Sequence, residues 1–143
     1  MTKSTKFVMA HLTHTEMKVI DSNVWISFIS PNDSTHNLAI KLFEEYYTTE
    51  ILLYDFVYAE VLTVLRNKNS DEGISLFLKL LEDWSISIHS LTSTTIQAAT
   101  KFFLHFPNLS FPDALALTMS IQNKHELITF DKALQKAWLQ VKK

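Results

Sequence analysis

Residues 17–28 read MKVIDSNVWISF, and the fold turns on them. Lys18 to Asp21 is a short apolar run that ends in an acid, and Asn23 to Ile29 continues at once as a short helix. A buried strand passing directly into a helix is the opening unit of an α/β chain. In such folds the strands end at the sheet edge where sites are built.

Working outward, Pro31-Asn32-Asp33 stops the first helix, and Ser34 is a natural N-cap for a second. Leu38, Leu42, Phe43 and Tyr46 recur along it at helical spacing. Ile51 to Tyr54 predicts a second strand, and from Asp55 a third helix carries Val57, Val61, Leu62 and Leu65 on one face. Asn67 to Gly73 is a polar break holding the only glycine, read as a stop signal. Ile74 to Trp84 predicts a helix, Ser85 to His89 a strand, and Thr92 to Phe106 another helix. Pro112 suits the first position of the next helix. Leu127 to Phe130 is the last clear strand, followed by a helix over Lys132 to Trp138 and a short fifth strand at Leu139 to Lys142.

This alternation predicts the α/β class, as a three-layer α/β/α sandwich around a mostly parallel central sheet. Residues 17–143 read as one domain. Residues 1–16 read as an N-terminal extension, unless Met17 is the start.

Composition narrows the function. The 143 residues are 47% hydrophobic and 20% charged, which describes a chain with a packed core rather than a disordered one. The absence of cysteine removes disulfides, thiolate metal sites and a cysteine nucleophile, and fits the cytoplasm. No apolar run is long enough for a membrane span or a secretory signal. With one glycine there is no phosphate-binding glycine loop and no G-x-S-x-G nucleophile motif. The six histidines lie in the extension or at element ends, away from any nucleophile motif. A net charge of −2 excludes nucleic-acid binding by bulk positive charge, so a polyanionic substrate needs a metal ion and a local stripe of Lys or Arg.

Four acids carry the chemistry: Asp21 closing MKVID, Glu60 in VYAEVLTVL, Asp113 in SFPDALALTMS, and Asp131 in LITFDKAL. Each has a plain structural role available. Asp21 and Asp131 suit N-caps, and Asp113 suits a first-turn position capped by Ser110. Glu60 is harder to dismiss, because apolar neighbours enclose it. If the strands bearing Asp21 and Asp131 are neighbours, both carboxylates emerge at one sheet edge, and the helices of Glu60 and Asp113 could aim theirs at the same edge, with no matching buried cation. Carboxylates gathered so repel one another, and a shared hard cation, Mg²⁺ or Mn²⁺, is the natural remedy. Such ions activate water and stabilise the leaving oxygen of a phosphodiester.

With these motifs in order along nearly the whole chain from Met17, the sequence resembles the PIN-domain nucleases, and most closely the VapC-type ribonuclease toxins of bacterial toxin–antitoxin pairs. The resemblance rests on VIDSNVWISF, YAEVLTVL, FPDALALTMS and LITFDKAL. It implies a Mg²⁺- or Mn²⁺-dependent endoribonuclease in which Asp21, Glu60, Asp113 and Asp131 bind metal. Asn23 and Thr129 would orient ligands or water. It also implies an RNA substrate, a homodimer and a cognate antitoxin protein. The competing reading keeps the fold as a non-catalytic module that binds RNA or protein.

Overall fold

The structure, a computed structural model, describes residues 16–142; residues 1–15 of the expected extension lie outside that range. Four short strands, β1 (Lys18–Ile20), β2 (Ile51–Tyr54), β3 (Ile88–His89) and β4 (Glu126–Ile128), form one sheet in the order β3-β2-β1-β4. Every described pairing is parallel: Val19 sits opposite both Leu52 and Leu127, and Leu53 opposite Ile88. Seven α-helices are described: α1 (Ser22–Ile29), α2 (His36–Glu45), α3 (Asp55–Asn67), α4 (Asp71–Asp83), α5 (Ser93–His105), α6 (Phe111–Gln122) and α7 (Lys132–Val141).

The strand pleat sorts side chains to two cores. Ile20, Ile51, Leu53 and Ile128 point into one, with Val24, Trp25, Phe43, Val57, Val61, Leu65 and Phe77 of α1–α4. Their neighbours Val19, Tyr54 and Leu127 point the other way, onto Ala116, Leu117, Leu134 and Ala137 of α6 and α7. Successive strand residues face opposite sides, so a sheet covered on both faces reads as an unbroken apolar run. The α/β/α sandwich is therefore as expected. Trp25 is fully buried, with its ring centroid 5.0 Å from that of Phe43 and 5.4 Å from that of Phe77.

Several local expectations need correction. The predicted fifth strand at 139–142 is helix: α7 runs on to Val141, because Leu134, Ala137, Trp138 and Val141 continue one helical face with nothing to break it. The strand expected over 85–89 shrinks to Ile88–His89, since Ser85 is spent closing α4 at φ 54°, with Ile86 N–H donating back to Leu81. Asn69 and Lys124 close α3 and α6 at φ 55°, in the left-handed position that glycine usually fills. Gly73 does not stop a helix; it lies in the first turn of α4, whose N-cap Ser70 accepts from its N–H. A Cβ there would fall 2.4 Å from Ser70 Oγ and 3.2 Å from Leu65 Cδ2, so close approach of α4 to α3 requires glycine. Helix α2 begins at His36 rather than behind a Ser34 cap. The Asp33 carboxylate accepts from Thr35 N–H and Oγ–H at 2.9 and 2.7 Å, which fixes the entry turn instead.

Candidate functional site

Asp21 follows β1 directly, and its N–H donates to Ile128 of the neighbouring β4 at 2.9 Å. The carboxylate is buried and tightly held. Its Oδ1 accepts from Ser22 N–H at 2.9 Å, and its Oδ2 accepts from Thr129 Oγ–H at 2.8 Å and Asn23 Nδ2 at 3.2 Å. Asn23 can present its amide nitrogen there because its Oδ1 accepts from Phe130 N–H at 3.1 Å. The Thr129 hydroxyl in turn accepts from Asn23 Nδ2 at 3.3 Å and from Asp131 N–H at 3.0 Å. With one proton and two lone pairs, Thr129 Oγ is then fully used. Asp131 caps α7 through Oδ1, which accepts from Leu134 N–H at 3.0 Å. One hydrogen-bonded string thus joins the carboxyl ends of β1 and β4.

Asp113 is held by reciprocal bonds with Ser110: its Oδ2 accepts from Ser110 N–H at 3.1 Å, and its N–H donates to Ser110 Oγ at 3.3 Å. Glu60 is half-buried in the second turn of α3, with no hydrogen-bond or ion-pair partner among the described residues. Burial raises the Asp21 carboxyl from 3.8 to about 6, and the negative charges of Asp113 and Glu60 add to the rise; the bonds from Thr129 and Ser22 oppose it. Asp113 is also raised, first by burial and then by Asp131, against the lowering effect of Ser110. All four acids therefore share one field. The two ion pairs among the described residues, Lys18–Glu126 at 3.1 Å and Lys79–Asp83 at 3.0 Å, lie elsewhere.

The sequence of this site and the sheet around it match the PIN domain pattern over residues 18–138. The chain belongs to the PIN domain family. The fold is similar to that of the Mycobacterium tuberculosis toxin VapC20, described as cleaving the sarcin–ricin loop. The TM-score is 0.74 at 15% sequence identity, over 84% of this chain and 94% of that one. No curated protein matches the chain in sequence.

Within this PIN domain the acids keep their structural roles while leaving oxygen atoms unused. Among the described contacts, Asp113 Oδ1, Asp131 Oδ2 and both Glu60 oxygens accept no hydrogen bond, and Asp21 Oδ1 accepts only one. Among the described residues, no three His, Cys, Asp or Glu side chains converge to hold one ion directly. The donor set is all oxygen, which suits hard cations. Mg²⁺ in particular keeps several waters and takes only one or two carboxylates from a protein. A fifth acid, Asp55, reads in the sequence only as a helix start. It follows β2 at the same edge, where Oδ1 accepts from Phe56 N–H at 2.8 Å and Oδ2 from Leu91 N–H at 3.3 Å, tying α3 to the entry of α5. The shared ending of ILLYD and MKVID was the available signal. The four tyrosines are engaged in packing: Tyr47 and Tyr54 are buried, and Tyr46 and Tyr58 lie against the first core.

Proposed function

We propose that this PIN domain is a metal-dependent endoribonuclease that hydrolyses RNA phosphodiester bonds, acting as the toxin of a type II toxin–antitoxin pair. The observation that carries this reading is the Asp21–Thr129–Asp131 string, with Glu60 and Asp113 in its field and, among the described residues, no cationic side chain paired to any of the four acids. A protein that needed Asp21, Asp113 and Asp131 only as caps would not have to gather them where Asp113 and Glu60 raise the pKa of Asp21 and Asp131 raises that of Asp113.

Asp21, Glu60, Asp113 and Asp131 are the residues that would hold Mg²⁺ or Mn²⁺. A bound ion of this kind supplies Lewis acidity toward water and toward the phosphoryl oxygens. The chain itself supplies position. Asp21 is fixed by three donors so that only one direction on Oδ1 stays open, and Ser110 and the start of α7 fix Asp113 and Asp131 in the same way. Asn23 and Thr129 act on Asp21 rather than on substrate. Preorganisation of this type removes reorganisation from the chemical step.

The family resemblance supports an antitoxin partner and a homodimer. Exposed Ile96, Phe103 and Leu104 on α5, the last 75% exposed, give apolar surface for a protein contact. Among the described residues no helix is long and apolar enough to cross a membrane.

The test is cleavage of total cellular RNA by purified protein in Mg²⁺, Mn²⁺ or EDTA, beside Asp21→Asn and Asp113→Asn. Discrete metal-dependent cuts that vanish in both variants are expected. Folded, antitoxin-free protein that cuts nothing in either metal would assign the fold a non-catalytic binding role.

A further inference from the structure

Charge is divided between the two sides of this molecule in a way its net −2 conceals. Among the described residues, 16–83 carry twelve acidic and five basic side chains, a net −7; residues 84–142 carry three acidic and five basic, a net +2. In the fold these are opposite layers, since α1–α4 cover one face of the sheet and α6 and α7 the other, with α5 packed on α6. All three acids of the second part are committed. Asp113 and Asp131 belong to the acid edge, and Glu126 pairs with Lys18 at 3.1 Å.

Helix α7 is where the positive charge meets the site. It starts at the cap residue Asp131 and contains no acid, while Lys132 and Lys136 are both exposed. Four residues apart, they share one face about 6 Å apart along the axis. Beside Lys136 a cleft of about 210 Å³ opens between α7 and the α5–α6 connection, with Phe106, Asn108 and Gln140 in its lining. On the other layer, α2–α4 surround Lys41 and Lys68 with Glu44, Glu45, Asp71 and Glu72, a surface that repels phosphate.

We infer that single-stranded RNA reaches the acid edge along the exposed face of α7, with its phosphates against Lys132 and Lys136. One unstacked base enters the cleft, where the amides of Asn108 and Gln140 meet its edge. This rests on the nuclease reading and adds a direction to it: the strand crosses the α7 side and avoids the α2–α4 side. It also supplies the local basic stripe that an acidic protein needs to hold a polyanion.

The test compares Lys132→Gln/Lys136→Gln with the equal-charge control Lys41→Gln/Lys68→Gln. Each is placed in the Asp21→Asn background and titrated with a fluorescent single-stranded oligoribonucleotide at several salt concentrations. Both pairs lie on exposed surface, and matched melting curves would confirm folding. Loss of two phosphate contacts should flatten the log–log salt slope by about 1.4, at roughly 0.7 per contact for single strands, and the control should leave it unchanged. In the otherwise wild-type protein, the α7 pair should raise KM while leaving kcat in place, the mark of uniform binding. An unchanged slope, or an equal loss in the control, overturns the track. So does retained RNA affinity with lost binding to polyglutamate, which would give the α7 face to an acidic peptide. Metal-dependent cleavage at wild-type KM by the α7 variant sinks the track alone. Absence of cleavage by the wild type sinks the nuclease reading and the track with it.

Discussion

Replacing Asp21 by Asn should stabilise the metal-free protein at neutral pH even as it removes the proposed activity. The Asp21 carboxyl is raised from 3.8 to about 6 by burial and by Asp113 and Glu60. A folded-state pKa above the unfolded value means the native state disfavours the ionised form. The penalty is absent below pH 3.8, grows between 3.8 and about 6, and is complete above that. A gap of about 2 units corresponds to about 3 kcal/mol at pH 7. Against this, Asn keeps the oxygen that accepts from Ser22 but puts an NH₂ where Oδ2 accepts from Thr129 and Asn23. Disturbing those two bonds costs about 1–2 kcal/mol. The net gain is about 1–2 kcal/mol, or roughly 3–7 °C in Tm for a chain of this length. Near pH 4 the ionisation penalty falls to well under about 1 kcal/mol, so the variant should melt at or below the wild type there. Thermal unfolding followed by circular dichroism in EDTA, at pH 4 and pH 7, reads the difference directly. A variant destabilised equally at both values would refute the reasoning, because it would show Asp21 to be a cap whose charge carries no penalty. Adding Mg²⁺ at pH 7 should then raise the Tm of the wild type and leave that of the variant unmoved.

Thr129→Val removes a hydroxyl that makes three hydrogen bonds and leaves Asp131 N–H without its acceptor. It should lower stability by about 1–3 kcal/mol, and the fall of stability with rising pH should extend above pH 6, since a bond that lowers the Asp21 pKa is lost. Denaturant unfolding across pH 4–8 measures both effects. Ser85→Gly should add about 0.5–1 kcal/mol by relieving the left-handed backbone at φ 54°; an unchanged urea midpoint would contradict that. Gly73→Ala gains helix propensity but displaces the Ser70 cap and presses on Leu65 and Ile29, so a net loss of about 1–3 kcal/mol is expected in the same assay. A gain instead would mean that Ser70 moves aside at little cost.

The sheet was legible because its strands are covered on both faces, so MKVI, ILLY and LITF stand out as short apolar runs. What escaped the sequence was set by contacts distant in the chain or by unusual turn chemistry. Gly73 looks like a stop signal until Leu65 of α3 is seen against it. The ends of α3, α4 and α6 carry Asn69, Ser85 and Lys124 in a conformation whose usual marker is glycine, and the chain has only one to offer. The strand expected over 85–89 is cut to Ile88–His89 for that reason.

The acids show a different limit. Sequence reasoning sets the capping role of Asp21, Asp113 and Asp131 against the site role, as if one excluded the other. In the structure Asp21 receives Ser22 N–H, Asp113 receives Ser110 N–H and Asp131 receives Leu134 N–H, so the capping role is real in all three. Capping commits part of each carboxylate and fixes its position with local backbone donors. The oxygens left over lie in one electrostatic field, where burial and like charge together raise Asp21 and Asp113. Glu60 is the informative contrast: it caps nothing and pairs with nothing among the described residues, yet stays half-buried in the same field. Helix starts are a direct way to aim carboxylates at the end of a parallel sheet, since the turn that begins the helix also ends the strand. The cap is therefore how this fold builds the acid edge, and a sequence pattern that looks like three ordinary caps is what such an edge should look like.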